Sequence, residues 1–185
     1  GFFFLIGSTA FAIAYFTTDI PDPNDYVNSQ ATIIQYSNGD EVGRIGAQNR
    51  TIIPLAKIPL DLRHAVLAAE DKSFYSQWAF NPIAIMRGAF NTAIGRGLQG
   101  GSTITQQVAK LLCLGHPYDA TKWDSEALYE ADCRKGSIWR KIREAIFALS
   151  LEIKYTKDEI LTIYLNRAFL GAGARGFEAA SQRYF

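Results

Sequence analysis

The chain has 185 residues, a formal net charge of +1 and 48% hydrophobic residues. This length suits one sizeable domain with an appendage, and the near-neutral charge excludes a bulk electrostatic attraction to nucleic acid. Any recognition of an anion must therefore come from a local cluster of cationic side chains. The apolar content is ordinary for a globular protein, but it is unevenly distributed along the chain.

The first 16 residues carry no charge and are rich in Phe, Ile and Ala. A full bilayer span needs about 20 apolar residues, whereas the apolar core of a signal peptide has about 7–15. The chain begins without Met and no small-residue cleavage site follows, so we expect residues 1–18 to be a transmembrane anchor that is cut at its N-terminus. A signal-peptide core is the alternative.

Residues 19–56 are predicted to form a linker and a small β element. Asn38-Gly39 lies between the β-prone runs 32–36 and 41–45, a strong signal for a β-hairpin. We expect this hairpin to be a neck that separates the anchor from the rest of the chain.

Helical periodicity begins after Pro59 and continues to the end of the chain. The long helix after Ser137 is expected to bury a stripe of Ile138, Ile142, Ile146, Leu149 and Ile153. The helix at 82–94 also carries an apolar stripe, which we interpret as an ordinary core face, with contact to a membrane as the alternative. The predicted helices span about 62–71, 82–94, 102–114, 138–153, 157–165 and 177–184.

A polar segment at 115–136 interrupts this helical pattern, and two cysteines flank it. Cys113 and Cys133 lack the spacing of a metal site. A disulfide between them would close a loop of about 20 residues and stabilise the fold by about 3 kcal/mol. Two unpaired thiols are an equally good interpretation of the sequence.

An uncharged polar cluster, Gly-Gly-Ser-Thr-Ile-Thr-Gln-Gln at 100–107, precedes one of these helices. Thr103 and Gln106 fit the capping box, in which each side chain satisfies a backbone N–H group at the start of a helix. This local role is the plain interpretation of the cluster. Its dense hydroxyl and amide groups also suit the binding of a sugar or a phosphate.

A second polar group lies on the long helix, where Arg140, Lys141 and Glu144 share one face. The simple interpretation is a solvated surface with ion pairs worth about 0.3–0.5 kcal/mol each. The functional interpretation is a cationic surface for a phosphate or pyrophosphate, to which Arg143 and Lys110 contribute.

Glu70 and Asp71 end an otherwise apolar helix, and aromatic residues follow at once. A carboxylate crowded by aromatic side chains tends to have a raised pKa, which suits a general base. An exposed helix end is the alternative, although acidic residues at a helix C-terminus oppose the macrodipole.

In their order along the chain, these groups resemble the five-motif signature of the peptidoglycan glycosyltransferases. That family comprises the glycosyltransferase domain of class A penicillin-binding proteins and the monofunctional transglycosylases. The resemblance covers about residues 57–185, and five motifs in order are far more specific than any one of them. They are Glu70-Asp71-x-x-Phe74, Gly100 to Gln107, Arg140-Lys141-x-x-Glu144, Lys157-x-x-Ile160-Leu161-x-x-Tyr164-Leu165-Asn166 and Arg175-Gly176-x-x-x-Ala180-x-x-x-Tyr184-Phe185.

The sequence departs from the family pattern at two places. The first motif usually continues to His and Gly, where Gln77 and Ala79 stand here. No catalytic role can therefore be assigned to a histidine. The segment 115–136 is also longer than the usual connection in the family.

The resemblance implies a mainly α, lysozyme-like glycosyltransferase domain over residues 57–185, with its C-terminal part missing. It implies polymerisation of lipid II into β-1,4 glycan strands, with inversion and release of undecaprenyl pyrophosphate. Glu70 is the implied base, and Glu144 is implied to orient the cations or to bind a divalent metal, Mg²⁺ or Mn²⁺. The implied substrate-binding residues are Asp71, Phe74, Gly101, Ser102, Thr103, Gln106, Gln107, Lys110, Arg140, Lys141, Arg143, Asn166 and Arg175.

The same resemblance implies a single-pass protein of the bacterial cell membrane with its catalytic domain on the extracytoplasmic face. The expected partners are lipid II, the nascent lipid-linked glycan, the bilayer and proteins of cell elongation or division, with moenomycin as the inhibitor and no nucleic acid. Whether a transpeptidase domain follows Phe185 is left open. Two rival functions are a lytic glycosidase on the same fold and an inactive membrane-anchored scaffold, which the missing His and Gly keep open and the intact Glu70, Glu144 and polar cluster count against.

Overall fold

The computed structural model describes residues 32–39, 41–45, 49–50, 52–81, 101–116 and 118–185, with isolated positions at 9, 12, 15, 16, 86, 90 and 94. The expected anchor at 1–18 and most of the predicted helix at 82–94 therefore lie outside the described residues. Within the described part, no helix has both the length and the apolar character that crossing a bilayer requires.

The predicted β-hairpin is confirmed. Strand β1 (Thr32–Gln35) pairs antiparallel with strand β2 (Glu41–Ile45). The turn between them places Gly39 at a φ of 91°, and its N–H group donates to the carbonyl oxygen of Tyr36 at 2.9 Å. Glycine adopts this left-handed conformation without steric cost, so the Asn-Gly signal in the sequence decides the turn.

The prediction of a mainly α fold is also confirmed within the described residues. Most of the helices begin at a Ser or Thr whose hydroxyl oxygen accepts from a backbone N–H group, and Thr156 with Glu159 forms the full capping box. The helices are α1 (Leu60–Glu70), α2 (Ile104–Leu111), α3 (Glu126–Cys133), α4 (Ile138–Lys154), α5 (Lys157–Arg167) and α6 (Phe177–Tyr184).

Two short strands pair residues that precede the first helix with residues that precede the last helix. Strand β3 (Asn49–Arg50) pairs in parallel with strand β4 (Ala174–Arg175). Single 3₁₀ turns span Leu55–Lys57 and Cys113–Gly115.

The hydrophobic core surrounds α2, which packs against both α4 and α5. These three helices bury a continuous apolar interior, which includes Ile104, Val108, Phe147, Leu151, Ile160, Leu161 and Leu165. The polar cluster 100–107 leads directly into α2. Because α2 is packed in the core, the side chains of its first turn have fixed positions.

The predicted buried stripe of α4 is wrong at two positions. Ile142 and Ile153 are 44% and 51% exposed, whereas Phe147 and Leu151 are buried beside Glu144. Both sets of residues recur with the helical period, so periodicity alone could not choose between them. The hydrophobic pattern favoured the stripe with more β-branched residues. It failed at these two positions because the face of α4 that packs on α2 contains a glutamate, whose charge is paired.

The segment 115–136 contains an unpredicted helix, α3. Ser125 begins it by accepting from the Leu128 N–H group at 3.3 Å. The buried Tyr129 packs edge-on against the rings of Tyr118 and Trp123, with centroids 5.7 and 5.2 Å away. The segment is thus a small folded lobe.

Cys113 and Cys133 form a disulfide, with Cα atoms 5.3 Å apart. This bond settles the choice that the sequence left open between a bridge and two thiols. It joins the 3₁₀ turn after α2 to the last residue of α3, so it fastens the small lobe to the helical core.

The interpretation of the 82–94 stripe as a core face is wrong at its three described positions. Met86, Phe90 and Ile94 are 73%, 63% and 46% exposed. Their spacing of four residues places them on one side of a helix. These three described side chains are therefore apolar and exposed outside the core.

Candidate active site

The first three motifs meet around one cleft of about 500 Å³. The cleft lies where the end of α1, the first turns of α2 and the first turns of α4 approach one another. Its lining side chains include three cations and two carboxylates, so it is a strongly charged site. The lining residues are Ala69, Glu70, Ser102, Gln107, Lys110, Arg140, Lys141 and Glu144.

Glu70 is the last residue of α1, and its side chain is exposed to the cleft. Gln107 Nε2 donates to Glu70 Oε2 at 2.8 Å, which holds the carboxylate in one orientation. Tyr164 lies buried nearby. Burial and then the negative charge of Glu70 raise the pKa of Tyr164 to about 12, so this tyrosine stays neutral beside Glu70.

Glu144 also lines the cleft and is only 2% exposed. Its two oxygens accept from Arg140 Nη1 at 2.6 Å and from Lys141 Nζ at 2.5 Å. Lys141 Nζ also donates to Ser102 Oγ at 2.8 Å. Glu144 therefore orients two cations, and it does not face the cleft as a free carboxylate.

Arg140 keeps hydrogen-bonding capacity that its pairing with Glu144 does not use. Its Nε atom is buried and has no hydrogen-bond partner among the described residues. A buried donor without a partner costs about 1–3 kcal/mol, so an anion that reached it would gain that energy. Arg140 thus combines a fixed position with an unused donor.

The residues around Glu144 do not fit a resident divalent metal. Both oxygens of Glu144 already accept from cations, whereas Mg²⁺ and Mn²⁺ require free oxygen ligands. In the part of the chain that is described, no three His, Cys, Asp or Glu side chains form a group that could hold a metal ion.

The polar cluster divides between structural and cleft-facing side chains. Thr103 is buried, and its hydroxyl donates to the Ala79 carbonyl oxygen at 2.6 Å and accepts from the Gln106 N–H group. Gln106 is buried as well, and its Oε1 accepts from Lys141 Nζ at 3.5 Å, so the second half of the predicted capping box does not form. Ser102 and Gln107 line the cleft, and the half-buried Gly101 adjoins them.

Asp71 directs its carboxylate away from the cleft and toward the start of α2. Its Oδ2 accepts from the Ile104 N–H group at 3.1 Å, and its Oδ1 accepts from Gln77 Nε2 at 2.5 Å. Burial is the main cause that raises the pKa of Asp71 above its ordinary value. Asp71 therefore holds the start of α2, and its contact with substrate stays a prediction.

Two further expected substrate contacts do not reach the cleft. Phe74 is 1% exposed and belongs to the core, where the ammonium group of Lys157 lies 4.6 Å from its ring centroid. Arg143 is exposed but is not among the residues that line the cleft. Phe74 is a core residue because its ring fills the space under the loop that follows α1.

Asn166 and Arg175 lie outside the lining of the cleft and contact other parts of the fold. Asn166 is buried, and it accepts from the Ile53 N–H group and donates to the carbonyl oxygens of Ile53 and Thr162, each at 2.9 Å. Arg175 pairs with Glu130 of α3 and lies over the ring of Phe169. The described contacts of these two side chains are with other parts of the fold, and their binding of substrate stays a prediction.

A buried ionic network behind the cleft was missed from the sequence. Thr105 Oγ1 and Lys157 Nζ donate to the same Glu152 oxygen at 2.5 and 2.6 Å. Lys157 Nζ also donates to the Gln77 carbonyl oxygen at 2.7 Å. Glu152 follows Glu144 by eight residues on the same helix face, a spacing that could have indicated a second buried carboxylate.

Residues 38–185 match the family model described as transglycosylase. The chain belongs to this family. The resemblance to peptidoglycan glycosyltransferases is confirmed, and the chain is a peptidoglycan glycosyltransferase domain.

Similar proteins agree with this assignment. The chain is 35% identical over 183 residues to penicillin-binding protein 1A of Mycobacterium tuberculosis, covering 98% of this chain and 21% of that protein. It is 36% identical over 184 residues to penicillin-binding protein 1A of Aquifex aeolicus, covering 97% and 23%. It is 37% identical over 149 residues to penicillin-binding protein 1F of Bacillus subtilis, covering 80% and 18%. The chain thus spans about a fifth of the length of these relatives.

Proposed function

We propose that this domain polymerises lipid II into β-1,4 glycan strands, with inversion at the donor sugar and release of undecaprenyl pyrophosphate. The observation that carries the proposal is the cleft, whose lining combines an exposed, oriented carboxylate with a group of cations. We also propose that the domain keeps the lysozyme-like arrangement that its family implies.

Glu70 acts as the base in this proposal. Its carboxylate takes the proton from the 4-hydroxyl group of the N-acetylglucosamine of lipid II. The hydroxyl oxygen then attacks the anomeric carbon of the donor strand as the bond from that carbon to the pyrophosphate breaks. The hydrogen bond from Gln107 fixes one oxygen of Glu70, which suits a base that must meet its proton in a defined geometry.

The cations stabilise the leaving group. The broken bond leaves its electron pair on the pyrophosphate, and cations aimed at that developing charge replace a general acid. Lys110, Arg140 and Lys141 all line the cleft. Lys141 must exchange its hydrogen bonds to Ser102 and Gln106 for bonds to phosphate oxygens, while Glu144 keeps the two neighbouring cations in place.

The position of Glu144 favours transfer over hydrolysis. A glycosidase needs two carboxyl groups that flank the bond to be cleaved, one of them as an acid. Glu144 is buried, and both of its oxygens accept from Arg140 and Lys141. It is therefore poorly placed to act as the second carboxyl group of a lytic enzyme.

We further propose that the domain works at the extracytoplasmic face of the cell membrane, beside a single-pass anchor. A polyprenyl substrate keeps its lipid tail in the bilayer, so the domain must lie close to it. The exposed apolar side chains of Met86, Phe90 and Ile94 support such contact. The proposed partners remain lipid II, the nascent glycan and proteins of cell elongation or division.

The test is a polymerisation assay on labelled lipid II with the wild type, Glu70→Gln and, as the control, Glu178→Gln on α6. We expect glycan strands from the wild type and the control, inhibition of both by moenomycin, and none from Glu70→Gln, which should still bind moenomycin. Polymerisation by Glu70→Gln would exclude Glu70 as the base. Cleavage of preformed glycan by the wild type would support the lytic glycosidase, and moenomycin binding without any turnover would support the inactive scaffold.

A further inference from the structure

Gln77 contacts three residues that lie outside the lining of the cleft. Its Nε2 group donates to Asp71 Oδ1 at 2.5 Å, and its Oε1 accepts from Asn81 Nδ2 at 2.7 Å. Its main-chain carbonyl oxygen accepts from Lys157 Nζ at 2.7 Å. This half-buried side chain therefore uses both ends of its amide, one toward Asp71 and one toward Asn81.

The bond to Asp71 continues to the proposed base. Asp71 follows Glu70 in the chain, and its second oxygen accepts from the N–H group of Ile104, the first residue of α2. Gln107 lies three residues later on α2 and donates to Glu70. Glu70, Asp71, Ile104 and Gln107 thus form a closed ring of chain and hydrogen bonds, and Gln77 fixes its Asp71 corner.

We propose that Gln77 is a positioning residue for glycosyl transfer, and that it acts through Asp71 to hold α2 and Gln107 in register with Glu70. This inference rests on the proposed function of the cleft. Without the donor of Gln77, Asp71 loses one partner, and its half-buried carboxylate lies near Glu152 with the backbone N–H groups of Ile104 and Ser73 as its remaining donors. A carboxylate in that position turns toward another donor or toward solvent, and it then releases the first turn of α2.

The chemistry of the amide distinguishes this role from simple packing. A glutamine donates through its nitrogen and accepts through its oxygen at any pH, so it serves Asp71 and Asn81 at once. A neutral imidazole also has one donor and one acceptor, but a protonated imidazole has two donors and cannot accept from Asn81. The other titratable groups that face this position are Asp71, Lys157 and Glu152.

The experiment measures lipid II polymerisation by the full chain across pH 5.5–8.5. This range extends about one unit below and about two units above an unperturbed histidine pKa of about 6.5. The variants are Gln77→Met, which keeps the length without hydrogen bonds, and Gln77→His. The control is Ser76→Ala, an exposed neighbour that should behave as the wild type. We expect Gln77→Met to lower kcat about 10- to 100-fold, as for a misplaced catalytic group, with KM for lipid II within about twofold.

Gln77→His should keep most of the activity over this pH range, because the neutral and the protonated imidazole both keep a donor for Asp71. A Gln77→Met variant with the wild-type kcat would overturn the proposal. So would a folded Gln77→His variant without activity at any pH, and this variant decides alone if Gln77→Met does not fold. The proposed function fails separately, if the wild type does not polymerise lipid II or if Glu70→Gln does.

Discussion

The polar motif residues fall into two regions that use their hydrogen bonds differently. In the cleft, Glu70 is exposed with one oxygen held by Gln107, and Arg140 keeps a buried donor without a partner in the described structure. At the scaffold corner, which we define as Asn166, Arg175 and Gly176, Asn166 uses its oxygen and both amide hydrogens. Unused hydrogen-bonding capacity therefore distinguishes the side chains that can bind a ligand from those that hold the fold.

The scaffold corner should respond to mutation through stability. Asn166→Ala removes three hydrogen bonds and leaves the N–H and carbonyl groups of Ile53 without their partner. At about 1–3 kcal/mol for each unsatisfied group, we expect a loss of about 4 kcal/mol in the free energy of unfolding. Urea denaturation measures this loss, with the exposed Gln182→Ala as the control.

The same variant also tests the division between the two regions. The fraction of Asn166→Ala that remains folded should bind moenomycin as the wild type does, because Asn166 does not line the cleft. Normal stability combined with weak binding would mean that Asn166 belongs to the site and that the comparison is wrong.

The disulfide should make a slightly smaller contribution to stability. It closes a loop with a sequence separation of 20, for which the loss of chain entropy in the unfolded state is worth about 3 kcal/mol. The double variant with Cys113→Ser and Cys133→Ser should lose about that much in chemical denaturation. On the unreduced wild type, a thiol-labelling assay should detect no free cysteine, and detection of two would contradict the bridge.

Substitution of Arg140 should weaken substrate binding, whereas substitution of Asn166 should leave ligand binding unchanged. We expect Arg140→Ala to weaken binding of pyrophosphate-bearing substrate by about 10- to 100-fold, the equivalent of about 1.5–3 kcal/mol for hydrogen bonds to a charged group. Arg143→Ala is the matched control, since Arg143 is exposed on the same helix outside the cleft. Titration with labelled substrate measures both affinities, and equal affinities would make Arg140 part of the scaffold.

The cleft and the scaffold corner also show which features of the fold and of the site could be predicted from the sequence. The Asn-Gly turn, the Ser and Thr caps and the order of the motifs depend on neighbouring residues, so local chemistry was sufficient for them. The burial of Glu144 and Phe74 depends on which face of α4 meets α2 and on how the loop after α1 folds back. A motif names the residues that a family shares, but only tertiary contacts separate Asn166 and Arg175 from the residues of the cleft.

The smallest predicted effect concerns Asp71, which lies between the two regions. Burial raises its pKa, so the folded chain binds a proton more tightly than the unfolded chain does, for which the pKa is about 3.9. The resulting stabilisation is fully present below the unfolded pKa and is lost as the pH rises through the folded pKa. The stability of the wild type relative to Asp71→Asn should therefore decrease as the pH rises above about 4.

Asp119 provides a control of opposite sign for this measurement. The hydroxyl and N–H groups of Thr121 lower the pKa of Asp119, so its stabilisation is present above the unfolded pKa and is lost as the pH falls through the folded pKa. Relative to Asp119→Asn, the wild type should therefore gain stability as the pH rises. If urea denaturation gave both comparisons the same slope, burial would not dominate at Asp71. Asp71 would then resemble a solvated surface carboxylate, and the first motif would lose the fixed corner on which the orientation of α2 and Gln107 depends.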